Sequence, residues 1–181
     1  MLIIRIFTGI VLVVGLLQSG CQQIPAGTVH PHATLDRSVM VGYQGWFRTP
    51  NDGAGMGWTH YQKSPTNSFS FEKMAIDFWP DLSELSESEK TRTDLRRPDG
   101  SPIQLFSSHN ARTVDRHFQW MHDYGISGAF VQRFTGPITN SDPKSRARLR
   151  ATDTVLRFAQ AGAEQHGRSI AIMYDLSGMK K

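Results

Sequence analysis

Between residues 111 and 175 the apolar positions switch between helical and extended spacing. Phe118, Met121 and Tyr124 recur at three- and four-residue steps and so share one helical face. Gly125 follows, where a residue without a Cβ closes a helix most readily. Ile126 to Val131 is mostly small and apolar, as suits a strand covered on both faces, and it ends on the polar pair Gln132 and Arg133. Turn residues fill 135–143. A second helix is predicted from about Ser145 to His166, with Leu149, Thr152, Leu156 and Ala159 on its apolar face and Val155 and Phe158 beside it; Gly167 ends it. Ser169 to Tyr174 is the last strand, with Asp175 directly after. A strand, a crossover helix and a second strand of these lengths predict a right-handed parallel unit. Arg133 and Asp175 would emerge on one edge of it, the edge at which ligands gather in sheets of this kind.

Upstream the pattern is less regular. Ser38 to Phe47 is the first strand candidate, ending in Gly42-Tyr43-Gln44-Gly45-Trp46, where two glycines permit a bend or the close approach of a ligand. Residues 50–57 read as a glycine-rich loop leading into Trp58-Thr59-His60-Tyr61. Ile76 to Trp79 is a short strand candidate, 83–90 a short helix, 91–101 a polar loop, and Ile103 to Phe106 a further strand. Asn110 or Thr113 caps the helix that runs through Tyr124.

The N-terminus departs from this pattern. Arg5 precedes an apolar run from Ile6 to Leu17, shorter than the roughly 20 residues of a spanning helix and suited to a signal peptide. Gln18-Ser19-Gly20-Cys21 then looks like a lipoprotein cleavage site, with Leu17 one place earlier than the usual leucine. The expectation is a signal peptide over 1–20, a lipid on Cys21, a polar tether over 21–37 and a folded domain over 38–181. An ordinary signal peptide cut near Ala26 is the alternative. Either way the chain is exported to the cell envelope, and with the lipid it is membrane-anchored, on the periplasmic or outer-membrane surface. Cys21 is the one cysteine of the chain, which rules out an intramolecular disulfide.

Taken whole, the chain is 39% hydrophobic and 20% charged, an ordinary soluble-protein composition. The net charge of +4 is modest. Arg146, Arg148 and Arg150 spread around a helix, and Arg92, Arg96 and Arg97 lie in a polar stretch, so both groups read as solvated surface rather than a nucleic-acid patch. His30 and His32 are two ligands and not a metal site, and no other cluster implies a metal or organic cofactor. No glycine-rich phosphate loop joins a strand to a helix.

Aromatic side chains beside polar groups suit sugars, whose rings have an apolar face. Trp46 and Trp58 are candidates for stacking, and a core role is as consistent with each. Glu84 and Glu87 would share a helical face, as paired carboxylates do in glycoside cleavage, but their segment is polar throughout and reads as a solvated turn.

Five segments together resemble bacterial proteins related to glycoside hydrolase families 71 and 99: residues 39–47 (VMVGYQGWF), 57–61 (GWTHY), 78–85 (FWPDLSEL), 105–134 and 172–179 (IMYDLSGM). Such proteins are commonly exported and often labelled xylosidase- or arabinosidase-like. The resemblance implies an α/β fold, the N-terminal β/α units of an incomplete (β/α)8 TIM barrel, acting on or binding polysaccharide. Tyr43, Gln44, Trp46, Trp58, His60, Gln132, Arg133, Tyr174 and Asp175 would line its cleft, with carbohydrate as the partner, no cofactor and no nucleic acid. The Glu-x-x-Glu pair that families of this kind use lies past the middle of the barrel, and no residue here maps onto it. A full barrel takes about 250 residues. The expectation is therefore an N-terminal portion of a longer enzyme without its own acid–base pair, poorly soluble or molten in isolation. A non-catalytic glycan-binding surface lipoprotein, or an inactive remnant, is the alternative.

Overall fold

The computed structural model describes residues 35–64 and 66–177. The expected signal peptide, Cys21, His30, His32 and most of the tether lie outside the described residues.

Three strands, β1 (Met40–Tyr43), β4 (Gly128–Phe134) and β5 (Ser169–Asp175), form one sheet in the order β1-β4-β5. Both pairings are parallel; Tyr43 lies opposite Val131, and Gln132, Arg133 and Phe134 lie opposite Met173, Tyr174 and Asp175. The crossover unit expected from residues 126–175 is thus parallel, with the strand bounds displaced by at most three residues. The other strands, β2 (Lys90–Arg96) and β3 (Pro102–Phe106), make a separate antiparallel hairpin.

Two helices connect the parallel strands. In α1 (Ala111–Asp123) the Asn110 side chain accepts from the Arg112 amide, satisfying one of the orphan donors of the first turn. A four-residue turn, α2 (Gly136–Thr139), precedes α3 (Pro143–Gln165). The Asp142 carboxylate accepts from the Lys144 and Ser145 amides, and Pro143 sits in the first helical turn, where no intrahelical N–H is needed. Both helices pack on one face of the sheet. Val114, Phe118 and Met121 of α1 and Val155, Ala159 and Ala163 of α3 close over Tyr43, Ala129 and Val131. Gly128 lets β4 and β5 approach: a Cβ there would lie 2.1 Å from the Ser169 carbonyl oxygen.

A second core lies under the segment between β1 and α1. Trp58, Tyr61, Phe69 and Leu105 are buried together, with Phe47, Met74, Ile76, Trp79 and Leu95 against them. Trp58 meets Phe69 edge-on at 5.1 Å between centroids.

This architecture corrects the TIM-barrel expectation. A barrel needs parallel strands that each bond to two neighbours until the sheet closes. Here the sheet is open: among the described residues three strands are parallel, and β1 and β5 form its two edges. The strand at 103–106 turns back on its neighbour instead of adding to the parallel sheet. Two local readings change as well. Residues 91–101 are not a loop, since 90–96 is β2; Thr91, Thr93 and Leu95 alternate as half-buried positions with the exposed Arg92, Asp94 and Arg96. Residues 76–79 form no strand, and in place of a helix over 83–90 there is a short 3-10 turn at 87–89 leading into β2 at Lys90.

Candidate functional site

The carboxyl ends of the parallel strands bring together part of the expected set. Gln132 and Arg133 are neighbours in a strand, so their side chains leave on opposite faces. Gln132 stays on the face that no helix covers. Its Nε2 donates to Asp175 Oδ2 at 2.7 Å, and its Oε1 accepts from Gln44 Nε2 at 3.3 Å. Gln44, Gln132 and Asp175 thus form a hydrogen-bonded row across all three chain segments of the sheet. Asp175 Oδ1 accepts from the Ser177 amide at 2.8 Å. Hydrogen bonds from Ser177, joined by that from Gln132, hold the Asp175 carboxyl below the usual carboxylate range.

Arg133 faces the helices. It is 8% exposed, and its Nη2 donates to Asp153 Oδ1 of α3 at 2.5 Å. Tyr43 also lies on that side, buried, with its hydroxyl 3.0 Å from His117 Nδ1. Burial pushes the Tyr43 hydroxyl up and the His117 imidazole down to about 4, so both are neutral near pH 7. Trp58 is a core residue, its indole N–H donating to the Asn67 carbonyl. Tyr174, opposite Arg133 in register, is exposed on the outer strand and does not join the row.

Trp46 and His60 do meet. Their rings stack at 4.4 Å with 12° between planes, and Phe134 lies parallel to Trp46 at 5.5 Å and 11°. Phe134 shares the Gln132 face of β4 and pairs with Asp175, which makes the row and the ring stack continuous. His60 has φ 64°, a left-handed conformation that histidine tolerates better than most residues. It lets Thr59 and Tyr61 remain buried while His60 between them reaches the surface. Burial, then the cations of Arg148 and Arg48, lower the basicity of the ring.

A cleft of about 460 Å³ opens beside the stack, with Trp46, His60 and Phe134 on one side and Arg48, Gln62 and Arg148 among its other walls. The sequence reading missed these last three and Phe134. Arg48 is buried at 1% exposure and donates to the Gly45 and Phe47 carbonyls, each at 2.9 Å. Burial lowers its guanidinium to about 10, with Asp52 and Tyr43 acting in the opposite direction. The signal for Arg148 is its spacing with Lys144 and Thr152, four residues on either side, which puts all three on one stripe of α3.

Glu84 and Glu87 make separate contacts away from this cleft, Glu84 accepting from Trp120 Nε1 and Glu87 from Lys90 Nζ. Among the described residues no group of three or more His, Cys, Asp or Glu side chains is placed to hold a metal ion. No helix among them is long and apolar enough to cross a membrane. No family model, characterised protein or solved structure matches the chain, and the chemistry of these side chains carries the functional reading.

Proposed function

We propose that the carboxyl edge of the parallel sheet binds carbohydrate. The observation that carries this is the continuity of the Gln44–Gln132–Asp175 row with the Trp46–His60–Phe134 ring stack, beside a cleft of about 460 Å³. Amide and carboxylate groups offer both donors and acceptors to vicinal hydroxyls, and an aromatic wall receives the apolar face of a sugar ring. A small number of placed polar groups beside aromatic side chains is the usual composition of a ligand cleft, and this volume lies within the usual range. Asp175 is held ionised by its neighbours and so is a constant acceptor near neutral pH. The reading is of binding. Glycoside cleavage calls for two carboxyl groups across the scissile bond, and the row supplies one.

The same proposal places the protein at the cell envelope, exported and anchored through a lipid on Cys21. Fatty-acid labelling of the wild type, lost in Cys21→Ser, is the expected result for the anchor. For the cleft, calorimetric titration with a panel of neutral and acidic oligosaccharides is the test. At least one member binds, and Gln132→Ala weakens it roughly tenfold, the loss of one good hydrogen bond. A panel without a binder, or binding indifferent to Gln132→Ala, sinks the proposal.

A further inference from the structure

The walls of the cleft are unequally charged. Arg48, Lys63 and Arg148 all line it, and no carboxylate does. A second groove of about 410 Å³ continues it past Met56 and Thr59, shares Arg148 and adds Lys144. A positive surface of this kind is often only solvated, but two buried atoms here point to a ligand. The Arg48 side chain is 1% exposed, and its Nε has no hydrogen-bond partner; Gln62 is 3% exposed, and its Oε1 is likewise unpartnered. Buried polar atoms are nearly always satisfied, and each orphan costs about 1–3 kcal/mol. A guanidinium N–H that lacks an acceptor, at the wall of a cleft whose other charges are positive, calls for an oxyanion. The unpartnered Gln62 oxygen calls for a donor such as a hydroxyl. One ligand supplies both: a sugar that carries a negative group.

We infer that the cleft selects sugar units bearing an oxyanion, a uronate carboxylate or a sulfate ester, with Arg48 and Arg148 as its partners and Gln62 accepting from a neighbouring hydroxyl. This rests on the carbohydrate reading above and narrows it to acidic glycans. The His60 ring fits the assignment. Burial, then Arg148 and Arg48 beside it, lower the basicity of the ring, which stacks on Trp46. Lys144 and Arg148, one helical turn apart, would meet the next charged unit along the groove.

The experiment is a titration of the full exported chain at low and at high salt with three probes: a galacturonate trimer, a sulfated galactan oligomer and the same galactan without sulfate. Inorganic sulfate alone is a fourth titrant. The expected result is that at least one acidic oligomer binds roughly tenfold tighter than the neutral one at low salt. That advantage shrinks at high salt, as screening demands. It is lost in Arg148→Gln, an exposed site whose replacement leaves the melting temperature in place, and Arg148→Lys restores part of it. Which acidic arm prevails tells the carboxylate from the sulfate ester. Equal binding of acidic and neutral oligomers, unaffected by Arg148→Gln, overturns this inference while the carbohydrate reading stands. No binding of any oligomer, with or without binding of free sulfate, overturns both.

Discussion

Gln132 donates to Asp175 across two parallel strands, at 2.7 Å, although the register sets Gln132 opposite Met173 and Asp175 opposite Phe134. The pair is therefore diagonal, two residues out of step on one face, which a glutamine is long enough to bridge. Gln44 continues the row from the segment after β1. The candidate site is thus a feature of the sheet itself, and its polar groups are positioned by backbone pairing.

Asp175 retains its charge below the usual carboxylate range because Ser177, and then Gln132, donate to it. The proposed glycan affinity, where it uses this carboxylate, is expected to persist as pH falls to about 4, the ordinary aspartate value, and to be lost only below it. Gln132→Ala shifts the midpoint upward by part of that depression, the Ser177 bonds remaining. Carboxyl carbon chemical shifts followed through an acid titration give both midpoints.

His117 couples the core to pH. Its folded value, about 4, lies below the ordinary 6.5 because burial disfavours the charged ring. The unfolded chain therefore binds more protons between these values. The contribution is fully present above pH 6.5 and is lost as pH falls through 4. The expected fall is about 3 kcal/mol across that window. Urea melts at pH 4.5 and 7 measure it, and His117→Phe, which also gives up the bond to Tyr43, flattens the dependence.

Gly128→Ala sets a methyl group against backbone that cannot swing away, since the Cβ would lie 2.1 Å from the Ser169 carbonyl oxygen. The start of β4 and β5 must separate. The expected cost is about 3 kcal/mol, comparable to overpacking elsewhere in a core. Denaturant midpoints compared with wild type test it; a change within about 0.5 kcal/mol counts against the close approach.

Arg133→Gln leaves Asp153 without its cation on the helix side of the sheet. Asp153 is half-exposed, so water compensates part of the loss, and the expected destabilisation is about 1–2 kcal/mol. Thermal melts of Arg133→Gln, Asp153→Asn and the double variant provide the cycle; additivity would contradict a coupled pair.

The segment from α1 to β5 was legible because its signals agree: helical spacing, a capping Asn110, the glycines after each helix and two apolar strands. Spacing alone puts Gln132 and Arg133 at one strand end, while alternation sends their side chains to opposite faces. By the same alternation Tyr43 shares a face with Val41, toward the helices. The first half resisted reading because its order comes from contacts between distant residues. Trp58 is held by Phe69 and Tyr61, while Trp46 is placed by His60 and Phe134, and spacing does not tell the two indoles apart. Strand β2 was hidden by its polarity, with half-buried threonines in place of the usual valine and isoleucine. The barrel expectation came from resemblance, and the hairpin of β2 and β3 departs from it.

Asp175, the anchor of the polar row, closes the outermost strand, which among the described residues is bonded on one side alone. Such a border frays first, so the amides of 171–175 exchange with solvent sooner than those of β4. A ligand gripping Asp175 must hold that border down, and the free energy of occupancy reappears as slowed deuterium uptake there. Under the proposed function, ligand binding and the firmness of the last strand are one linked quantity.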